Sequence, residues 1–138
     1  MPPIVIYTDG GARGNPGPAG AGFVILDGAR VLFEGKKFLG ERQTNNWAEY
    51  EALVLALVEA KRLGLEKRTL EVRMDSQLVV EQLMGRWKIK EPALRSQHAN
   101  VKALLADFSS YVFTHVPREK NAEADRLVNE ALDEAAAL

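Results

Sequence analysis

The sequence predicts an α/β fold in which a mixed five-stranded sheet is flanked by helices. The first indication is the order of the elements, with three strands followed by helices that separate two later strands. Strands joined by helices pair in parallel, whereas strands joined by tight turns pair antiparallel. The second indication is the dipeptide Asp27-Gly28 between two strand-like runs, which is typical of a hairpin. We therefore expect three antiparallel strands and then two parallel ones, in a single domain over residues 1–138.

The first half of the chain supplies the antiparallel strands and the longest helix. Residues 4–7 are β-branched and aromatic and lead into Asp9-Gly10-Gly11, which predicts a buried strand followed by a turn. Residues 23–26 and 31–38 are the next two strand-like runs. Polar cap residues then precede a strongly apolar helical pattern over residues 47–63, which Gly64 closes.

The second half alternates helices with the two parallel strands. Residues 69–74 alternate apolar and charged side chains and predict a strand, after which Asp75-Ser76 caps a helix to about residue 84. Pro92 suits the first turn of a helix over residues 93–107. A fifth strand over residues 111–116 precedes a last helix capped by Asn121. Right-handed crossovers then bring the ends of strands one and four side by side.

The composition limits the chemistry that the chain can perform. Its 138 residues and 46% hydrophobic content suffice for one core, and the absence of cysteine excludes disulfides, thiolate zinc sites and cysteine nucleophiles. A net charge of -1 means that nucleic acid would have to be bound by a local basic patch. There is no basic leader and no run of roughly 20 apolar residues, so we expect a cytoplasmic protein with no membrane partner.

Four acidic residues stand at the ends of predicted elements, and each has an ordinary structural explanation. Asp9 can bond the amides of a turn, and Glu49 can complete a capping box with Asn46. Asp75 can cap a helix, and Asp125 suits the first turns of one because of the helix dipole. These explanations do not predict that all four carboxylates would face one end of one sheet.

Carboxylates that converge in this way would hold a divalent metal. Packed closely, they repel each other and require a compensating cation. Magnesium or manganese fits better than zinc in a chain without cysteine and with only two histidines. Two such ions about 4 Å apart can activate a water molecule and stabilise the leaving oxygen in phosphodiester hydrolysis.

Five short motifs occur in a fixed order along nearly the whole chain, and as a set they resemble ribonuclease H of the type 1 class. They are Tyr7-Thr8-Asp9-Gly10-Gly11, Gly14-Asn15-Pro16-Gly17-Pro18-Ala19-Gly20, Thr44-Asn45-Asn46-Trp47-Ala48-Glu49, Asp75-Ser76-Gln77 and Asn121-Ala122-Glu123-Ala124-Asp125. The resemblance implies a ribonuclease H-like fold with Asp9, Glu49, Asp75 and Asp125 as metal-binding catalytic carboxylates. It also implies endonucleolytic hydrolysis of the RNA strand of an RNA–DNA hybrid, with two Mg²⁺ or Mn²⁺ ions, giving 5′-phosphate and 3′-hydroxyl ends.

The same resemblance suggests residues that contact the substrate. Asn15, Asn45 and Gln77 resemble residues that read the minor groove of the hybrid through the RNA 2′-hydroxyl, and Thr44 resembles a phosphate-pocket residue for the DNA strand. Turn or capping chemistry also accounts for the two asparagines, and the two roles are compatible. Trp87 stands between basic residues, where it can pack on a sugar of the bound strand or be a half-buried core tryptophan.

The chain departs from many type 1 members in two regions. The basic-handle region around residues 85–92 is short, so Lys88, Lys90 and Arg95 supply only part of its charge, and substrate binding is expected to be weaker and more salt-sensitive. The loop after the fifth strand is also short. Counting back from Asp125 equates His115 with the loop histidine of many members, whereas aligning the strand, which we favour, makes His115 a strand residue and leaves that position to Arg118. Arg118 would contact the scissile phosphate or would pair with Glu119 or Glu123 on the surface.

The sequence is also compatible with other functional interpretations. The short loop is compatible with cleavage of double-stranded RNA as well as of hybrids, and a monomer is expected. A non-catalytic nucleic-acid-binding module of the same fold is an alternative, although all four carboxylates are present. A nucleotide phosphate loop at residues 10–14 is disfavoured because Pro16 and Pro18 lead into a strand and not into a helix.

Overall fold

The computed structural model describes residues 1–138 and contains five strands and four α-helices. The strands are β1 (Ile4–Ala12), β2 (Gly17–Asp27), β3 (Arg30–Gln43), β4 (Thr69–Met74) and β5 (Ser110–His115). The helices are α1 (Asn45–Arg62), α2 (Gln77–Leu83), α3 (Pro92–Leu105) and α4 (Ala122–Ala136), and a single 3₁₀ turn, Arg118–Lys120, precedes α4. No helix combines the length and the apolar character that crossing a membrane requires.

The strands form one sheet in the order β3-β2-β1-β4-β5. The first three strands pair antiparallel, while β4 joins β1 and β5 joins β4 in parallel. The predicted mixed sheet is therefore confirmed, including the adjacent ends of β1 and β4.

The first three strands are longer than the sequence predicts. Asp9 and the two glycines after it do not form a turn but lie within β1, where Asp9 is the register partner of Gly22 and Gly10 that of Ala21. Small side chains gave these residues the local signature of a turn. Antiparallel pairing with β2 over the whole length of β1 outweighs that preference, and the amides on the other edge of this segment bond side chains of the first helix.

The main core lies between one face of the sheet and helices α1, α2 and α3. Alternate residues of β1, such as Ile4 and Ile6, meet fully buried residues of α1, such as Leu53 and Leu57, and the same cluster extends to Val101 of α3. Burial of these side chains removes apolar area from water and fixes α1 firmly against the central strands.

Helix α4 packs on the opposite face of the sheet, mainly against β2. The approach is close because Gly20 and Gly22 have no side chains there: a Cβ atom added at Gly22 would lie 2.5 Å from the Ala124 oxygen. The amphipathic pattern of α4 turns Leu127 and Val128 inward. The sheet is thus covered on both faces around β1. The segments that lead into α1 and α4 lie at the end of the sheet where β1 and β4 end.

Candidate active site

Asp9 occupies the centre of the candidate site, on β1 and on the side of the sheet that faces α4. It is only 7% exposed. The carboxylate oxygens of Asp9, Glu49 and Asp75 lie within 4.8 Å of one another, although the three residues come from β1, α1 and the end of β4. The fold therefore brings together three of the four carboxylates that were predicted to converge.

Glu49 is held by the backbone of β1 and not by its own helix. The Gly10 amide donates to Glu49 Oε1 at 2.6 Å, whereas Thr44 caps α1 by accepting from the Trp47 amide at 3.1 Å. The predicted capping box between Asn46 and Glu49 is therefore wrong. Glu49 Oε2 is buried and has no hydrogen-bond partner. A buried carboxylate oxygen without a donor is the feature expected of a metal ligand, since a cation would satisfy it.

Asp75 follows the last residue of β4, and Asn121 positions it. Asn121 is almost fully buried, and its Nδ2 donates to the Thr8 carbonyl at 2.9 Å and to Asp75 Oδ2 at 3.2 Å. Ser76, not Asp75, caps α2 by accepting from the Val79 amide. The expected capping role of the Asp75 side chain is therefore wrong, and its carboxylate faces the cluster.

Asp125 completes the acidic group from the first turns of α4. It lines the same cavity as the other three carboxylates and acts electrostatically on Asp9. Asn129, one turn later, donates to the Asp125 carbonyl at 3.1 Å and approaches its Oδ2 at 3.4 Å. Asp125 is thus the member of the group that comes from the opposite side of the sheet to Glu49.

The four carboxylates open onto one cavity of about 380 Å³. Its walls also include Asn45, Asn46, Arg118, Arg13 and Asn129. A strongly acidic floor with amide and guanidinium groups at its rim suits a ligand that brings both metal-bridging oxygens and hydrogen-bond acceptors.

Burial and the proximity of the carboxylates raise the pKa values of two members of the group. Burial raises the pKa of Asp9 from 3.8 to about 7; a hydrogen bond with Glu49 opposes this shift, and the charges of Asp75 and Asp125 add to it. Burial likewise raises the pKa of Glu49 well above its ordinary range, although the Gly10 amide opposes this. The folded protein therefore holds protons or cations at this site near neutral pH. The donor set, all oxygen and partly unsatisfied, fits a hard divalent ion.

Without divalent ions, the stability of the protein is expected to fall as the pH rises from about 4 to about 7. Over this range folded Asp9 keeps a proton that the unfolded chain releases, so the contribution is complete below pH 3.8 and is lost by the folded pKa of about 7. The difference of about three pKa units corresponds to roughly 4 kcal/mol. Chemical denaturation in chelator at several pH values measures this pH dependence of the free energy of unfolding. Asp9→Asn is the matched control, and equal pH dependence in both proteins would contradict this assignment.

Of the predicted substrate residues, two asparagines form a chain next to the cavity. Asn15 Oδ1 accepts from the Asn45 amide at 3.0 Å, and Asn45 Oδ1 accepts from the Ala12 amide at 2.8 Å. Their oxygens thus fix the loop, while both side-chain NH₂ groups donate to no group of the protein. Gln77 is exposed at the start of α2 and its side chain forms no hydrogen bond, and Thr44 caps α1.

Trp87 lies apart from the carboxylates, in a second depression. It is 45% exposed and lies beside Arg86, Lys88 and Lys90. The alternative of a core tryptophan does not hold, since Trp87 is not part of the main core. An exposed indole ring among cations is available for contact with a sugar or a base.

Arg118 and His115 occupy the positions that strand alignment predicts. His115 is the last residue of β5 and its Nε2 lies 3.2 Å from the Asp75 carbonyl, whereas Arg118 follows in the 3₁₀ turn and lines the acidic cavity. Arg118 pairs with neither Glu119 nor Glu123, and Glu123 pairs with Arg126 instead. The surface ion pair proposed as an alternative for Arg118 is therefore wrong.

Sequence reasoning missed Asn121, which it interpreted only as a helix cap. Asn121 does precede α4, but its side chain makes no capping bond: its Nδ2 donates to Thr8 and Asp75, and its Oδ1, the atom that would accept from a helix amide, is buried without a donor. The signal in the sequence was its place four residues before Asp125, within the last motif. Arg13 and Asn129, which lie at the rim of the cavity, lacked any such signal.

The sheet order, with buried carboxylates at the shared end of β1 and β4, defines a ribonuclease H-like fold. Residues 7–131 match the protein family described as reverse transcriptase-like. The chain is 47% identical over 130 residues to ribonuclease HI of Halobacterium salinarum, covering 94% of this chain and 64% of that protein. It is 48% identical over 135 residues to a bifunctional protein of Mycobacterium tuberculosis, covering 96% of this chain and 36% of that one. The chain thus spans between about a third and two thirds of the length of these relatives.

Solved structures agree with this assignment. LC11-RNase H1 was isolated from compost, and its crystal structure has been solved in complex with an RNA/DNA hybrid. This structure superimposes on the present one with a TM-score of 0.92 and 50% identity, covering 96% of this chain and 99% of that one. The chain belongs to the ribonuclease H family.

Proposed function

We propose that this protein is a metal-dependent endoribonuclease that hydrolyses the RNA strand of RNA–DNA hybrids and leaves 5′-phosphate and 3′-hydroxyl ends. The observation that carries the proposal is the cluster of Asp9, Glu49 and Asp75 oxygens within 4.8 Å, with Glu49 Oε2 buried and unpaired. The hybrid bound to LC11-RNase H1 supports the choice of substrate. All four carboxylates come from one chain, which favours a monomer as the active form.

The four carboxylates would hold two divalent ions, Mg²⁺ or Mn²⁺. Oxygen-only ligands on a rigid strand and helix suit small hard cations better than zinc. Bound there, such ions supply activation of the attacking water and stabilisation of the leaving oxygen. The protein's own part is to fix Glu49 through the Gly10 amide and Asp75 through Asn121, so that the ligands are oriented before the substrate arrives.

The recognition of RNA would fall to the free amide donors beside the cavity. The NH₂ groups of Asn15 and Asn45 are oriented by the bonds that their own oxygens accept, and they can donate to minor-groove acceptors and 2′-hydroxyl groups. Gln77 adds a third amide at the start of α2, and Thr44 would contact a phosphate of the DNA strand through its hydroxyl proton. A duplex without 2′-hydroxyls would leave part of this set unpaired.

The charge distribution indicates where the duplex lies. Residues 86–102 contain five lysines or arginines and one acidic residue, whereas α4 contains five acidic residues and one arginine. Phosphates are attracted by the first segment and repelled by the second. The duplex therefore extends from the carboxylates towards Trp87, which would pack on a sugar, and away from the outer face of α4.

Arg118→Ala is expected to lower kcat about 10-fold, or roughly 1.4 kcal/mol in the barrier, because an unpaired guanidinium at the rim can contact the scissile phosphate. Steady-state kinetics on a labelled hybrid measures it. Lys120→Ala removes a neighbouring exposed cation outside the cavity lining and serves as the control. Equal kinetics for Arg118→Ala and the wild type would show that Arg118 is a solvated surface residue with no part in cleavage.

A cleavage assay tests the proposed function directly. Labelled RNA–DNA hybrid, double-stranded RNA and double-stranded DNA of one sequence are each incubated with Mg²⁺, Mn²⁺ or chelator. Metal-dependent cleavage of the RNA strand of the hybrid is the expected result. Additional cleavage of duplex RNA would widen the specificity, and binding without cleavage under any condition would identify a non-catalytic module.

A further inference from the structure

A buried polar pair connects α1 with the end of α2. Tyr50, which follows Glu49 and is fully buried, donates its hydroxyl to Gln82 Oε1 at 2.7 Å. Two polar side chains inside an otherwise apolar cluster must satisfy each other, because an unpaired one would be costly.

The pair also reaches outward to the basic loop, residues 85–90. With its oxygen engaged by Tyr50, the Gln82 amide directs Nε2 at the Lys88 carbonyl, 3.4 Å away. Gln82 also lines the depression that holds Trp87 and Lys88. The link therefore runs from the helix that carries Glu49, through the core, to the backbone of the basic loop.

Other bonds hold only the two ends of this loop. The Arg86 and Trp87 amides bond the Glu81 carbonyl at its start, and Arg95 Nε bonds the Ile89 carbonyl near its end. Trp87 itself makes no side-chain hydrogen bond and is 45% exposed. At Lys88, the middle of the loop, the side-chain contact comes from Gln82.

We propose that Tyr50 and Gln82 are positioning residues that hold the basic loop in the conformation that contacts nucleic acid. The inference rests on the proposed function, since the loop matters only if a duplex binds there. By fixing Lys88 and the adjacent Trp87 relative to α1, the pair sets the distance between the duplex contacts and Glu49. It touches neither the substrate nor a metal, so it affects binding and not the chemical step.

Three variants test this inference. Tyr50→Phe removes only the hydroxyl, Gln82→Met removes both amide contacts at nearly constant volume, and the double variant makes the pair apolar. Each variant is expected to raise KM for the hybrid about fivefold with kcat unchanged, since a loose loop must be ordered on binding. The single variants also lower the denaturation midpoint by leaving one buried polar group unpaired, and the double variant recovers it.

The double variant separates positioning from simple stabilisation. If the pair only stabilised the fold, KM would recover together with the denaturation midpoint in the double variant, and that result would overturn the proposal. Gln97→Met is the matched control, because Gln97 is another buried glutamine that bonds Glu51 and the Trp47 carbonyl but no atom of the basic loop. It should lower the midpoint and leave KM unchanged.

A spectroscopic measurement keeps the inference independent of catalysis. In a Trp47→Phe background the fluorescence reports Trp87 alone, and Tyr50→Phe is expected to raise its acrylamide quenching constant about twofold as the loop loosens. Unchanged quenching and unchanged KM in all three variants would overturn the inference. Failure of the wild type to cleave the hybrid, with quenching altered as expected, would instead refute the proposed function.

Discussion

Replacing Asp9 by asparagine is expected to abolish hybrid cleavage, by at least about 1,000-fold, while making the metal-free protein more stable near pH 8. Asparagine keeps the shape of the side chain but offers one neutral oxygen in place of a carboxylate at the centre of the cluster. The gain in stability arises because burial, together with Asp75 and Asp125, makes the charged form of Asp9 unfavourable, as its pKa of about 7 shows.

The two effects are measured separately. Cleavage is followed at saturating Mg²⁺, and the free energy of unfolding is measured by denaturant titration with and without the ion. Mg²⁺ should raise the wild-type midpoint much more than that of Asp9→Asn, because ligand binding to the folded state stabilises it. Asp107→Asn, an exposed acidic residue paired with Lys61 far from the cluster, is the control. An Asp9→Asn protein that cuts at near wild-type rate would remove Asp9 from the catalytic set.

Asp9→Asn is expected to lower activity but to raise stability, because the carboxylates of the site destabilise the metal-free fold. Asp9 and Glu49 lie where a buried apolar pair would be more favourable, and the Gly10 amide offsets only part of the penalty for Glu49. A bound cation would stabilise the charged carboxylates that are unfavourable in its absence. The metal-free protein therefore stores unfavourable electrostatic free energy that the bound cation releases.

The sequence predicted best those elements that are defined by their own pattern. The fourth strand was predicted residue for residue as Thr69–Met74, because its alternation is clear and it is buried on one face. The first strand was predicted to end at Tyr7, because Asp9 and the glycines after it resemble a turn. Only their pairing with β2, which the local pattern of the first strand does not reveal, shows that the strand continues.

The candidate site was predictable as a set of residues but not as a set of bonds. The motifs predicted that Glu49 and Asp75 would converge with Asp9, and the structure brings them together. The partners that orient them could not be inferred, because the Gly10 amide and Asn121 reach them across 39 and 46 residues of sequence. Local rules favoured caps for these side chains, and tertiary contacts replaced them.

Gly10→Ala is expected to destabilise the protein by about 3 kcal/mol and to lower cleavage about 100-fold, although it adds a single methyl group. Its Cβ would lie 2.2 Å from the Ala48 oxygen and 2.5 Å from the Glu49 nitrogen. These are backbone atoms of α1 and cannot rotate away, so the helix must move off β1. The same displacement lengthens the Gly10 amide bond to Glu49 and shifts that carboxylate from Asp9.

Gly11→Ala is the matched control for this prediction. The added Cβ would find its nearest neighbours at 4.0 Å, so the same chemical change makes only ordinary van der Waals contacts one residue along the same strand. Denaturant titration and steady-state kinetics on the hybrid compare the two variants. Because Glu49 is positioned through the close contact of β1 with α1, stability and activity should fall together in Gly10→Ala and neither should fall in Gly11→Ala. Equal behaviour of the two proteins would show that this contact does not position Glu49.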